Sequence, residues 1–328
     1  MTSRPRRKEF NRHNLWPWRW WMTVGIGVLA TSSEGRAKNI CPDHIVLFSD
    51  TMGSFGNEFS HPRLHKRFDL PKEGFYAIAA NQVDRAAELM PVISEFLSKT
   101  PRNERNYGAI FNAVNSACFA YKRMKFVQSV LPKHRIEPDL IDPFRAASDA
   151  ALIPGKQAVS KVLEEEWKEF DIGCDLLIAA FDCRGQAMLL TVSGADGITE
   201  NATVPGFAAI GSGLSNAMFW LSHRKQFLGM KLMRSVYHAY EAKTMAESSP
   251  NVNDELDVLI ANAGQFWKFS SHFKPGPHAH PFITIEKLKE LFLKYGPQGT
   301  EEIDDLQRSL WELKKESVTA DAKSAGEG

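Results

Sequence analysis

The sequence predicts an α+β protein in which two β-sheets pack face to face and helices cover both outer faces. Strand-like segments, rich in β-branched and apolar residues, occur in two sets. Each set is followed by two segments whose apolar residues have helical spacing, and a last strand closes the pattern. The composition is 43% hydrophobic and 24% charged over 328 residues, which is typical of a globular chain that can bury a sizeable core.

The first set contains four strand-like segments bounded by Gly, Pro and Asp. A turn-like "PKEG" joins the third segment to the fourth. The period then changes, and apolar residues recur at helical spacing over 82–99 and 107–130. The four predicted strands are "TVGIGVLA" (23–30), "HIVLFSD" (44–50), "RLHKRFDL" (63–70) and "GFYAIAA" (74–80).

The second set follows a segment that contains prolines and lacks a clear period. This segment, 132–158, is expected to be an insertion or loop, and "SKVLEEEWKEF" after it is helical in pattern. Residues 212–247 are again helical in pattern. The predicted strands of this set are "CDLLIAAFD" (174–182), "QAMLLTVS" (186–193), "FAAIGSG" (207–213) and, after the helices, "ELDVLIA" (255–261).

The two ends of the chain differ from the middle. Residues 1–22 carry a net charge of +5 and four of the eight tryptophans, and are interpreted as a leader or a mispredicted start. Residues 23–263 are expected to form the main domain. Residues 264–328 are expected to form a helical extension, with an amphipathic helix capped by Thr284 and closed by Gly296, and a small, polar, disordered tail.

Charge, hydropathy and cysteine usage exclude several classes of protein. Residues 23–328 carry a net charge of −4, which argues against a basic nucleic-acid-binding body. There is no run of eighteen apolar residues, so no membrane-spanning helix is expected. The four cysteines form no CxxC motif, and nothing in their spacing requires an oxidising compartment. We therefore expect a cytoplasmic protein with reduced thiols and with no nucleic-acid or membrane partner.

Three competing motifs are weaker. A signal peptide cleaved after Ala30 is a competitor, but Arg19 interrupts its apolar stretch and "TVGIGVLA" serves well as a first strand. His278 and His280 lie in a proline-rich loop without acidic ligands nearby, so no metal site is expected. The "GSG" at 211–213 lacks the lysine of a phosphate-binding loop, so no cofactor is expected.

Asp50 and Lys66, considered as a pair, are the strongest candidates for catalytic residues. Asp50 ends an apolar strand in "FSDTMGSFG", and Lys66 follows it by sixteen residues. Downstream, "FYAIAANQVDRAAELM" places two small residues and then a helix carrying Asp84 after an apolar strand. This pattern, over about residues 23–262, resembles the β-type subunits of proteasomes and their bacterial relatives, the N-terminal-nucleophile hydrolases.

The resemblance implies a four-layer αββα sandwich and a threonine-type peptidase that cleaves peptide amide bonds. It implies that Thr23 is the nucleophile and that Lys66, paired with Asp50, lowers the pKa of its hydroxyl. It further implies that the Ala80 N–H is the oxyanion donor and that Ser212 completes the hydrogen bonds around the α-amine. The remaining residues that match the family's pattern, and that we expect to bind substrate, are Thr51 and Ser54.

This mechanism needs a free α-amine at Thr23. Methionine before threonine is commonly removed, so translation from Met22 would expose Thr23, whereas a chain that keeps Met1 would lack this base. The family's last catalytic Asp has no counterpart, because its position falls near Ser248 or Ser249. This departure is the main argument for weak or lost activity.

The resemblance also implies partners: a peptide or unfolded-protein substrate, a homo-oligomeric ring, and optionally an ATP-driven unfoldase, for which the sequence shows no docking signal. Two alternatives remain open. One is a catalytically inactive, structural proteasome-like subunit. The other is an N-terminal-nucleophile amidohydrolase acting on a small amide.

Overall fold

The computed structural model describes residues 24–32, 41–51, 53–55, 59–61, 66–134, 156–194, 199–249, 252–270 and 283–295. Within these ranges the chain is an α+β protein, as the sequence predicts. Its named strands pair antiparallel throughout.

Two five-stranded sheets and one two-stranded sheet are present in the described ranges. Sheet I has the order β10-β1-β2-β11-β12, sheet II has the order β5-β6-β7-β8-β9, and β3 pairs with β4. The strands are β1 Val24–Ala30, β2 His44–Ser49, β3 Gly53–Phe55, β4 Phe59–His61, β5 Arg67–Leu70, β6 Phe75–Asn81, β7 Cys174–Phe181, β8 Ala187–Val192, β9 Thr199–Asn201, β10 Phe207–Gly211, β11 Asp257–Asn262 and β12 Phe266–Ser270.

Six α-helices accompany the sheets in the part of the chain that is described. They are α1 Val83–Ser98, α2 Tyr107–Ser129, α3 Lys156–Glu169, α4 Leu214–His223, α5 Leu232–Ala246 and α6 Ile285–Tyr295. None of them is both long and apolar enough to cross a membrane. The side chain of Asn106 begins α2 by accepting the Ala109 N–H at 2.9 Å, which satisfies one of the N–H groups that a helix start leaves open.

Three clusters of buried apolar side chains hold the elements together. The first joins sheet I to α4, α5 and α6, and the second joins sheet II to α1 and α2. The third contains side chains of both sheets, among them Leu47 of β2 and Leu177 of β7. Burial of this apolar surface is the main stabilising contribution to the fold.

Strand β1 illustrates how the sequence fits this arrangement. Val24, Ile26 and Val28 alternate along the strand and pack in the cluster with the helices. Gly25 and Gly27 face the other way, where a Cβ on Gly25 would lie 2.8 Å from an Ile78 methyl group of sheet II. The glycines therefore allow sheet II to approach β1 closely.

Several elements differ from the sequence expectation. The helical pattern at 212–247 forms two helices, because residues 224–231 interrupt it. The strands β3, β4, β9 and β12 were not predicted, and α3 begins at Lys156, four residues before the predicted start. Residues 135–155 of the predicted insertion lie outside the described residues, as do 1–23 and 296–328.

Candidate active site

Asp50 and Lys66 form a buried ion pair that links the two sheets. Asp50 directly follows β2 of sheet I, and Lys66 directly precedes β5 of sheet II. The Lys66 Nζ lies 2.9 Å from Asp50 Oδ1, and the exposed fractions of the two side chains are 2% and 0%. The predicted partners, separated by sixteen residues in sequence, are thus brought into direct contact.

The Asp50 carboxylate also holds the start of β1. Its Oδ1 accepts the Val24 N–H at 3.1 Å, and the Asp50 N–H donates to the Val24 carbonyl at 3.3 Å. One oxygen atom therefore connects the ammonium of Lys66 with the backbone at the head of the first strand.

Burial sets the acidity of Lys66. Removal from water lowers the pKa of Lys66, while the charge and hydrogen bond of Asp50 act in the opposite direction, and the nearby Lys243 lowers it further. Removing one partner would leave the other charge buried without compensation. Loss of either side chain is therefore expected to lower the stability of the fold strongly.

Thr23, the predicted nucleophile, lies outside the described residues. Its neighbour Val24 is enclosed on the side of α4, where a Cβ added to Gly213 would lie 2.8 Å from the Val24 Cβ. Gly213 directly precedes α4, so the turn after β10 contacts the head of β1.

The direction of the N–H groups along β6 bears on the predicted oxyanion donor at Ala80. The Ala79 N–H donates to the Lys66 carbonyl at 2.8 Å, and the Gln82 N–H donates to the Gly173 carbonyl at 3.0 Å. Successive N–H groups of an antiparallel strand point to opposite neighbours. The N–H of Ala80 therefore points with that of Gln82 towards β7, and the N–H of Asn81 is the next one on the side of Lys66.

Asn81 has a second unusual feature, since its φ is +67°. Asparagine tolerates this left-handed conformation better than most residues, and non-glycine residues in it occur often at functional sites. Its side-chain amide donates to Asp175 Oδ2 at 2.6 Å, and Asp175 Oδ1 accepts the Gly194 N–H at 2.7 Å. Burial raises the pKa of Asp175.

The predicted substrate-binding residues lie on the segment that follows Asp50. Thr51 is buried, and its hydroxyl donates to Glu255 in a short hydrogen bond. The Asn253 side chain donates to Glu255 at 3.1 Å and reaches the Thr51 hydroxyl at 3.5 Å. Ser54 lies in β3, and its side chain is outside the described part of the structure.

Ser212, the last of the predicted site residues, lies next to α4. Ser248 and Ser249, where the sequence departs from the expected pattern, contact the same helix. Ser212 is exposed in the turn that precedes this helix. Ser248 and Ser249, near which the sequence analysis expected the missing carboxylate, are both contacted at 3.0 Å by the side-chain amide of Asn216.

Sequence reasoning missed three residues around the ion pair: Asn81, Lys243 and Asn253. Lys243 lies in α5 with a buried side chain, and its Nζ donates to Glu247 Oε1 at 2.6 Å and to the Asn253 carbonyl at 2.7 Å. A lysine within a helical sequence pattern is usually expected to face solvent. Only the three-dimensional contacts show that the Lys243 ammonium is buried.

The charged groups that the structure brings together at this site are Lys66 and Asp50. Among the described residues, no group of three or more His, Cys, Asp or Glu side chains could hold a metal ion.

Comparison with known proteins gives likeness at the level of the fold alone. No protein-family model and no curated protein sequence matches the chain. Among solved structures, the chain is similar to eukaryotic HslV from Trypanosoma brucei, with 13% identity, a TM-score of 0.45, and coverage of 73% of this chain and 99% of that chain. It is also similar to an Anbu (Gly-1) mutant from Hyphomicrobium sp. strain MC1, with 12% identity, a TM-score of 0.49, and coverage of 88% and 96%. At these values neither likeness bears on activity.

Proposed function

We propose that residues 23–263 form a four-layer αββα sandwich of the N-terminal-nucleophile hydrolase class. The three apolar clusters support this arrangement, because helices pack on one side of each sheet and the cluster between the sheets contains side chains from both. Residues 264–328 form an extension whose first part joins the sandwich, because β12 pairs with β11 at the edge of sheet I and α6 packs against α5 through Phe292 and Tyr240.

We propose further that the protein is a proteasome-like threonine peptidase with Thr23 as its N-terminal nucleophile. One observation carries the proposal: the Asp50 oxygen that binds Lys66 also binds the N–H of Val24. The Val24 nitrogen forms the peptide bond to Thr23. In a mature chain that begins at Thr23, the first residue is therefore adjacent in sequence to the residue that Asp50 binds.

The chemistry then follows from ordinary reactivity. The α-amine, with a pKa of about 8, takes the proton of the Thr23 hydroxyl, and the oxygen attacks the amide carbonyl of the substrate. The amine gives this proton to the departing nitrogen, which leaves an acyl-enzyme that water hydrolyses. Lys66 stabilises negative charge on the hydroxyl oxygen, and Asp50 holds Lys66 in place. We assign the oxyanion to the N–H of Asn81, and the hydrogen bonds around the amine to Ser212.

Peptides or unfolded proteins are the substrates, with Thr51 and Ser54 near them, and no cofactor takes part. The chain assembles into a homo-oligomeric ring in the cytoplasm, where an ATP-driven unfoldase would be an optional partner.

One observation favours the inactive, structural alternative. Where the family pattern has a carboxylate, Ser248 and Ser249 contact Asn216 and supply no charge. A subunit that keeps the fold but lacks part of the hydrogen-bonding network around the nucleophile would show this. The small-amide hydrolase remains the third alternative.

A chain with a defined first residue tests the proposal. The protein is prepared once from Met1 and once, from a cleavable N-terminal fusion, beginning at Thr23, and both are verified by intact mass. Each is tested against a fluorogenic peptide library and a small aryl amide. We expect peptide hydrolysis only from the chain beginning at Thr23, with Thr23→Ala lowering the rate about 10³-fold or more.

Matched variants make the outcome specific. Lys66→Met should abolish hydrolysis, whereas Lys122→Met, which removes another buried lysine on α2, should leave it intact. Hydrolysis of the small amide alone would favour the amidohydrolase. A folded chain beginning at Thr23 that cleaves neither substrate would overturn the peptidase and leave the structural subunit.

A further inference from the structure

Lys243 is a buried lysine whose ammonium is held by the connection between α5 and β11. Its side chain is 1% exposed, and its two hydrogen-bond acceptors are the Glu247 carboxylate and the Asn253 carbonyl. Burying an ammonium is costly unless charge and hydrogen bonds compensate for the lost water. Both compensations are present, which fixes the ammonium at one place.

A series of side-chain contacts connects the Lys243 ammonium with the candidate active site. Asn253, whose carbonyl binds Lys243, uses its side chain to contact Glu255 and Thr51. Thr51 directly follows Asp50, the partner of Lys66. The loop held by Lys243 therefore supports the segment that carries the Asp50 carboxylate.

The charges are connected as well. Lys243 and Lys66 repel each other electrostatically, and both are attracted by Asp50. The charged groups that face Lys243 are Glu247 on its own helix, Asp254 before β11, and Asp50 with Lys66. Burial is the main cause that lowers the pKa of both lysines. The two buried lysines thus lie on connected segments, with Lys66 paired to Asp50 and Lys243 paired to Glu247.

We propose that Lys243 is a positioning residue of the candidate active site, which acts on Lys66 by charge repulsion and on the Asp50–Thr51 segment through Asn253. The inference rests on the proposed function, in which Lys66 serves the Thr23 hydroxyl. A second cation makes the Lys66 ammonium more acidic, and a more acidic ammonium is a stronger hydrogen-bond donor to the hydroxyl oxygen.

The titration of Lys66 tests this directly. Protein beginning at Thr23 is labelled with [ε-¹³C]lysine, the Lys66 and Lys243 signals are assigned by Lys66→Met and Lys243→Met, and the midpoint of Lys66 is measured by NMR. We expect Lys243→Met to raise this midpoint, because a like charge is removed. Lys243→Arg keeps the charge and should leave the midpoint near that of the original chain.

A purely structural role of Lys243 would not change the titration midpoint of Lys66. Lys122→Met is the matched control, since Lys122 is also buried but lies on α2 over the Trp167 ring. It should leave the Lys66 midpoint unchanged. The alkaline limb of peptide hydrolysis should shift with the Lys66 midpoint in Lys243→Met and stay in place in Lys122→Met.

The outcomes separate the two proposals. An unchanged Lys66 midpoint in Lys243→Met overturns the inference, whether or not the protein cleaves peptides. A shifted midpoint in a protein without hydrolysis overturns the peptidase and leaves the coupling of the two lysines standing. If Lys243→Met does not fold, the NMR titration curves of Lys66 and Lys243 in the unsubstituted protein provide the test. If the two lysines are coupled, each curve shows two inflections. Two independent single-step curves overturn the inference.

Discussion

His238 on α5 is a buried titratable residue outside the candidate active site. Its Nδ1 lies 2.9 Å from Gln226 Oε1, and the Gln226 amide donates to the Ser235 hydroxyl at 3.0 Å. Its Nε2 has no hydrogen-bond partner among the described residues. Burial, with the charges of Arg224 and Arg234, lowers the pKa of His238 to about 3. The fold therefore holds this imidazole neutral.

A pH dependence of stability follows from this shift. The folded-state pKa lies below the unfolded value of 6.5, so the contribution of His238 is complete above pH 6.5 and is lost as the pH falls towards 3. We expect the free energy of unfolding to fall by up to about 2 kcal/mol between pH 6.5 and 5 from this residue. Urea unfolding at a series of pH values measures it.

His238→Asn should remove this dependence, because the amide can still donate to Gln226 but does not titrate. His134→Asn is the control, since His134 is partly exposed and pairs with Glu166. An identical slope between pH 6.5 and 5 in the original chain and in His238→Asn would contradict the prediction.

Single residues of the site differ in how far the sequence reveals them. Asp50 and Lys66 follow recognisable patterns at a fixed separation, and the structure brings them into contact. Asn81 follows the expected oxyanion position by one residue, and only the direction of the ladder's hydrogen bonds distinguishes it from Ala80. Lys243 belongs to a distant helix, and a helical pattern alone does not indicate that its ammonium is buried.

At the scale of elements, the contact between α4 and β1 is the one that bears on the site. Gly213 enters α4 with a φ of −81°, which any residue can adopt, so its constraint is steric. A Cβ there would lie 2.8 Å from the Val24 Cβ and 3.1 Å from the Ala246 Cβ. These side chains belong to a strand and a helix, and neither can move without moving its backbone.

Gly213→Ala should therefore cost about 1–3 kcal/mol of stability and lower peptide hydrolysis by displacing Val24 from Asp50. Gly108→Ala in α2 is the matched control: its Cβ would meet no atom closer than 3.4 Å, and helix propensity predicts a gain of up to about 1 kcal/mol. Thermal unfolding and the hydrolysis rate measure both variants. Equal stability of the two variants would show that the α4–β1 contact is not tight.

The elements that the sequence predicts are those with a strong period and several buried residues, such as β1, β2 and α2. Strand β12, "FWKFS", is only partly buried, and its strand character depends on pairing with β11 at the edge of sheet I. The break between α4 and α5 has no proline. It coincides with Lys225 at a φ of +51° and with the Thr31 N–H bonding to the Met230 carbonyl, which is a tertiary contact.

At the scale of the whole molecule, an ionic cluster ties the edges of the two sheets together. Arg67 of β5 contacts Asp257 of β11 at 2.9 Å and Asp69 at 3.1 Å, and Lys268 of β12 also contacts Asp69. The Arg67 side chain is only 11% exposed. Because both sheets also share an apolar cluster, we expect sheets I and II to unfold as one cooperative unit.

Arg67→Met tests this unit, because it leaves Asp257 and its neighbour Asp69 buried with less compensation. We expect it to cost about 3–5 kcal/mol, whereas Lys168→Met, which breaks an exposed pair with Glu164, should cost under about 1 kcal/mol. Urea unfolding followed by tryptophan fluorescence and by circular dichroism should give one midpoint for both signals in each variant. Adding Asp257→Asn to Arg67→Met should recover part of the loss, because the stranded charge is removed. Separate midpoints for the two signals would show that the sheets unfold independently, and a cost as small as that of Lys168→Met would show that the apolar cluster alone joins them.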